Sequence, residues 1–129
     1  MTRRRHVIAV LENDAVIRRA VASLLAAHGY ATELYASAED YLGVATSAAQ
    51  CLVVDIRLGD ISGIELGRHL AATGYKFPII FITASDDQTL RNQAIELGCV
   101  AFLLKSMLGD RLIEAVAKAI AQTSGGHAA

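Results

Sequence analysis

Five short apolar runs recur along the chain: Val7–Leu11, Ala31–Tyr35, Cys51–Val54, Ile79–Ile82 and Ala101–Leu104. Four are nearly continuous, the pattern of strands covered on both faces. The second alternates, with Thr32 and Glu33 inside it, which predicts an edge strand. Between the runs the period becomes helical. Val16, Ile17, Ala20, Val21, Leu24 and Leu25 make one stripe; Leu90, Ala94 and Leu97 a second; Leu108, Leu112, Val116, Ala119 and Ile120 a third. Ser37 with Asp40, Ser62 with Glu65 and Ser85 with Gln88 have the spacing of helix N-terminal caps. Gly29, Gly74 and Gly98 stand where helices should stop, and His28 suits a helix end. Strand followed by helix, five times over, predicts an α/β domain: a parallel sheet with helices on both faces. Residues 1–129 read as one domain without internal repeat or linker, with a core over about 6–122 and a loose tail over 123–129.

Composition narrows the functional classes. Apolar residues make up 53% and charged residues 19%, which suits a packed core and excludes a disordered chain. A net charge of −1 creates no general attraction to nucleic acid or to a membrane surface. The one dense basic run, Arg3 to Arg5, reads as a solvated end. No segment approaches the ~20 apolar residues of a membrane span. The first apolar run is interrupted by Glu12, too early for a signal peptide, so a cytoplasmic protein is expected. Cys51 and Cys99 lie in apolar surroundings and read as buried free thiols. The four histidines, at 6, 28, 69 and 127, have no metal-ligand spacing.

The candidate chemistry lies where the apolar runs end. Glu12 and Asn13 follow the first run, Asp55 the third, Thr83 the fourth and Lys105 the fifth. In open parallel sheets, ligands bind beyond the carboxyl ends of the strands. These residues should therefore meet at one rim. Any one of them alone is an ordinary loop-starting residue; together they are a specific set. Two carboxylates in one place repel each other unless a cation is present. Oxygen ligands of this kind suit Mg²⁺, completed by water and phosphate. A lysine and a hydroxyl beside it would hold phosphoryl oxygens. One carboxylate would then be the nucleophile that becomes an aspartyl phosphate. No Gly-rich phosphate loop is present, so no nucleotide is implied. Asp14 reads as the cap of the first helix. Asn13 fits a cap or a metal ligand equally.

At these residues the chain resembles the receiver domains of two-component response regulators, including those of FixJ-like regulators. The resemblance runs from about His6 to Gln122 and includes "DIRLGDISGIEL" after the third run. It implies a doubly wound, five-stranded parallel sheet in the order 2-1-3-4-5. It implies Asp55 as phosphoacceptor, with Thr83 and Lys105 binding the phosphoryl group. It places Mg²⁺ on Glu12, Asn13, Asp55 and the backbone carbonyl of Arg57, whose own side chain is expected to face solvent and tune water access. Thr83 and Phe102 are the expected switch pair, although Phe102 reads equally as core. The implied partners are a sensor histidine kinase or phosphotransfer protein and, at the last helices, an output domain or partner protein; a homodimer stays open. No direct nucleic-acid or membrane binding is expected, and no enzyme activity beyond self-catalysed phosphoryl transfer and autodephosphorylation.

Three departures from the family pattern bear on function. Asn13 stands where a second acid is usual, Ser106 follows Lys105 where proline is usual, and "LGD" at 58–60 replaces "MPD". Asn13 and Ser106 favour a second reading, a degenerate receiver that binds partners without phosphorylation. A third reading, a phosphohydrolase with an Asp nucleophile, needs an acid two residues after Asp55, and Arg57 occupies that place.

Overall fold

The structure is a computed structural model and describes residues 5–44 and 46–125. Its strands and α-helices alternate, with a short 3-10 turn over Lys105–Met107 after the last strand: β1 (Val7–Leu11), α1 (Ala15–Ala27), β2 (Ala31–Tyr35), α2 (Ala38–Leu42), β3 (Cys51–Asp55), α3 (Gly63–Ala72), β4 (Ile79–Thr83), α4 (Gln88–Glu96), β5 (Ala101–Leu104) and α5 (Asp110–Gly125). The strands form one parallel sheet in the order β2-β1-β3-β4-β5, as expected. The alternating run is indeed at an edge, and the fully buried β3 is central.

Alternate strand residues serve opposite faces. Ile8, Val10, Cys51, Val53, Ile80 and Ile82 pack under Val21 and Leu25 of α1 and Leu112 and Val116 of α5. Ala9, Leu11, Leu52, Val54 and Phe81 pack under α2, α3 and α4, through Tyr41, Ile64, Leu66, Leu70 and Ala94. Both faces of the sheet are thus covered, and the strands must read as continuous apolar runs. The rim at their ends is the place where polar side chains can face one another.

Several local expectations need correction. β3 and β4 each extend one residue further, so Asp55 and Thr83 are the last residues of strands. Sheet register fixes both: Asp55 stands beside Ile82, and Thr83 beside Leu104. The stripe of α1 is narrower than its periodicity suggests. Val16 is 77% exposed and Ala20 is exposed, because only Ile17, Val21, Leu24 and Leu25 reach the sheet. Leu108 lies in the turn before α5. Ser62 and Glu65 form the full capping box on α3, and Ser37 caps α2. Ser85 does not cap α4; Asp87 does, by accepting from the amides of Thr89 and Leu90. α5 runs to Gly125, three residues into the segment expected to be loose. Residues 126–129 and the basic residues Arg3 and Arg4 lie outside the described residues. Among the described residues, Cys51 and Cys99 are free, and no helix is long and apolar enough to cross a membrane.

Candidate functional site

Three polar or charged residues are fully buried among those described: Glu12, Asp55 and Thr83. All three end, or directly follow, a strand at the same rim. Burial of such groups is costly without partners, so the partners define the site.

Lys105 supplies the charge. Its Nζ donates to Asp55 Oδ2 at 3.1 Å and lies 2.8 Å from Glu12 Oε1. The second contact is an ion pair outside hydrogen-bonding angles, so Glu12 Oε1 is buried without a hydrogen bond. Backbone amides hold the other oxygens. Asp14 N–H donates to Glu12 Oε2 at 2.9 Å, and Arg57 N–H to Asp55 Oδ1 at 3.1 Å. Arg18, from the first turn of α1, donates to the Glu12 carbonyl at 2.7 Å. One lysine thus serves two carboxylates. Burial, and then the nearby Glu12 carboxylate, push Asp55 up to about 6, while Lys105 pulls it back. Burial alone would lower Lys105, but Glu12 and Asp55 keep its proton and raise it.

The geometry around Asp55 depends on one glycine. Gly63 opens α3 against the end of β3, and its N–H donates to the Ile56 carbonyl at 2.8 Å. A Cβ there would collide with the backbone of Asp55 and Ile56. That is the physical reason for "DISG" in this stretch: the helix starts against the strand that carries the acid.

The remaining expected residues divide. Asp14 is the cap of α1, accepting from the amides of Val16 and Ile17. Asn13 is therefore free of that task and exposed at the rim. Arg57 is exposed, as expected of its side chain. Thr83 is turned toward its own loop. Its hydroxyl donates to the Ser85 carbonyl at 3.1 Å and accepts from Ser85 N–H at 3.4 Å. Phe102 is buried in the cluster under α2–α4, with the Arg91 guanidinium 4.9 Å from its ring centre. The sequence pattern does not point to Arg18, Arg91 or the backbone role of Ser85. The contact of Arg18 with a backbone carbonyl has no sequence signature, and Asp86 precedes α4, so its pairing with Arg91 breaks the usual spacing of helical ion pairs.

This donor set fits Mg²⁺. Two carboxylates, of which Glu12 Oε1 is buried in an ion pair with Lys105 but without a hydrogen bond, an amide at Asn13 and the carbonyl of Arg57 are hard oxygen donors for an ion that keeps much of its water. No group of three or more His, Cys, Asp or Glu side chains among the described residues would form a closed protein cage for a metal.

Comparison with known proteins decides the family. The response regulator receiver domain matches residues 8–117. The chain belongs to that family. It is 34% identical to the response regulator protein TodT of Pseudomonas putida over 121 residues, 93% of this chain and 53% of that protein. It is 33% identical to the transcriptional regulatory protein FixJ of Bradyrhizobium diazoefficiens over 123 residues, 95% of this chain and 60% of that one. The receiver thus spans little more than half the length of these relatives. The crystal structure of FixJ-N superposes with a TM-score of 0.81 at 29% identity, covering 91% of this chain and 94% of that one. A CheY-like receiver from Methanospirillum hungatei shares the fold, with a TM-score of 0.87 at 19% identity. The expected family and fold are both present: this is a receiver domain of two-component signalling.

Proposed function

We propose that this receiver takes a phosphoryl group onto Asp55 from the phosphohistidine of a sensor histidine kinase or phosphotransfer protein. The observation that carries the reading is a buried Asp55 at the end of the central strand, paired with Lys105 and beside Glu12. A carboxylate oxygen of Asp55 forms the new bond to phosphorus as the bond to the donor nitrogen breaks. Lys105 already stands 3.1 Å from Asp55 and moves its positive charge to the incoming oxygens. Thr83 leaves Ser85 and offers its hydroxyl to the same group. Glu12, Asn13, Asp55 and the Arg57 carbonyl are the groups that would hold Mg²⁺, which supplies charge neutralisation to the phosphoryl oxygens. The consequence is a shift of a two-state equilibrium in the loop after β4 and in Phe102, read by an output domain, a partner protein or a second copy at the last helices.

The test is intact-mass spectrometry after acetyl phosphate and Mg²⁺. The parent should gain the mass of one phosphoryl group, and Asp55→Asn should gain none. Uptake that persists in Asp55→Asn would move the acceptor elsewhere.

A second reading is favoured by Asn13. The neutral amide leaves Lys105 as the main cation facing Glu12 and Asp55. A receiver in that condition binds partners with its acid site held shut by its own lysine. Failure of the parent to take up phosphate at saturating Mg²⁺ would select this reading.

A further inference from the structure

Two adjacent arginines stand near the start of α1, and they differ. Arg19 is exposed, whereas Arg18 is half-buried and turned back toward the end of β1. Its Nη1 donates to the Glu12 carbonyl at 2.7 Å. Among the described residues no carboxylate pairs with it, although Glu12 carries one. Its backbone is fixed as well, because Arg18 N–H donates to the carbonyl of the cap residue Asp14 at 2.8 Å. The side-chain contact acts on one peptide plane, the plane that joins Glu12 to Asn13. The next plane, from Asn13 to Asp14, is held from its amide edge: Asp14 N–H donates to Glu12 Oε2 at 2.9 Å. A peptide unit is rigid, so holding the units on both sides of Asn13 fixes its two backbone angles and the direction in which its side chain leaves. Asn13 is exposed, and packing does not do this for it.

We propose that Arg18 is a positioning residue: by holding the Glu12 carbonyl it keeps Asn13 oriented to give its amide oxygen to Mg²⁺. The proposal deepens the phosphoacceptor reading above and rests on the metal site of that reading. The need for such a hold follows from the amide. A carboxylate here would be drawn to a cation by its own charge, and a neutral oxygen is drawn far less. A weak ligand contributes most when it is already in place, since its contact then carries no cost of ordering. Arginine suits the task. Its guanidinium stays charged at any physiological pH and gives the carbonyl a charge-assisted hydrogen bond, stronger than a neutral one. The same charge works against the metal, because one cation near Glu12 repels another. The two effects have opposite signs, and a neutral residue at position 18 separates them.

Calorimetric titration of the whole chain with Mg²⁺ makes the separation. Arg18→Met keeps an apolar stem and loses the charge and the donors. It should bind Mg²⁺ roughly three- to tenfold more weakly, less than the loss of a partner behind a charged ligand costs, because the ligand held here is neutral. A role through charge alone requires tighter binding, and either that result or no change overturns the proposal. Arg18→Lys keeps the charge and a single donor, and should lie between the parent and Arg18→Met. The deciding comparison uses Asn13→Ala. If Arg18 acts through Asn13, Arg18→Met should have no further effect on Mg²⁺ affinity in the Asn13→Ala chain. An equal loss in both backgrounds means that Arg18 supports the start of α1 as a whole, and the positioning role is wrong. Urea denaturation shows which variants are folded; should Arg18→Met not fold, Arg18→Lys is compared in the same two backgrounds. A parent that binds Mg²⁺ but takes up no phosphate sinks the phosphoacceptor reading and leaves the titrations to judge Arg18. A parent that binds no Mg²⁺ refutes the positioning role itself.

Discussion

The two sides of the rim are built differently. On the β1–β3 side, Glu12 and Asp55 are held by backbone. Glu12 N–H donates to the Tyr35 carbonyl, Asp14 and Arg57 amides bind the carboxylates, and α3 starts in contact with the strand through Gly63. On the β4–β5 side, residues 84–89 are exposed, α4 fully buries one residue, and the Thr83 hydroxyl is held by Ser85 alone. The contrast separates two tasks. A nucleophile and its cation need fixed geometry, which dense packing and backbone hydrogen bonds provide. A response needs a segment whose opening costs little, and such segments have few buried contacts.

The contrast can be broken most severely in the core. Leu52→Ala, at a fully buried position on β3, should cost about 2–5 kcal/mol in urea denaturation. Ile95→Ala, 60% exposed on α4, should change stability by no more than about 0.5 kcal/mol. Similar costs at both positions would mean that α4 is anchored as firmly as the central strand.

Gly63→Ala attacks the fixed side directly. The added methyl meets backbone, which cannot yield as a side chain can, so the variant should lose about 1–3 kcal/mol. It should also slow phosphoryl uptake, because relief of the clash displaces Asp55. A stable variant with parental uptake would show that the start of α3 does not position the acid.

Asn13→Asp sharpens the comparison by adding charge to the fixed side. Mg²⁺ affinity, measured by calorimetry, should rise by on the order of 1–2 kcal/mol, as a carboxylate replaces an amide at a wet site. Acetyl phosphate uptake at limiting Mg²⁺ should quicken with it. Unchanged affinity would mean that Asn13 points away from the ion.

The smallest effect is one of pH. Burial and Glu12 raise Asp55 from 3.8 to about 6 on folding. Between those values the folded chain binds more protons than the unfolded chain, so this group's contribution to stability falls as pH rises from about 4 to about 6. Asp55→Asn removes that fall. It should be more stable than the parent at pH 7, by on the order of 1 kcal/mol, and the difference should close near pH 4. A variant less stable at pH 7 would show that the ion pair with Lys105 outweighs the burial and repulsion of the acid.

Much of this protein is determined by its sequence alone. A parallel sheet buried on both faces requires continuous apolar runs, so all five strands are legible, and the alternating second run marks the edge. The polar residues that interrupt those runs are conspicuous for the same reason, which is why Glu12, Asp55, Thr83 and Lys105 stand out from the apolar pattern by themselves. Asp14 is readable as a cap because a helix start has a local chemistry. What tertiary structure decided is what depends on contacts between elements distant in sequence. Lys105 meets Glu12 as well as Asp55 because β5 and β1 end at the same rim, and no spacing encodes that distance. Val16 belongs to a helical stripe yet faces solvent, since periodicity tells which residues share a face and not how far the sheet extends beneath them. Ser85 has the spacing of a cap, but Asp87 lies closer to the helix start and Thr83 competes for the Ser85 backbone. Arg91 is an ordinary helix arginine in the sequence. Only the approach of the loop after β4 to the face of β5 puts a carboxylate at one edge of its guanidinium and an aromatic ring under the other.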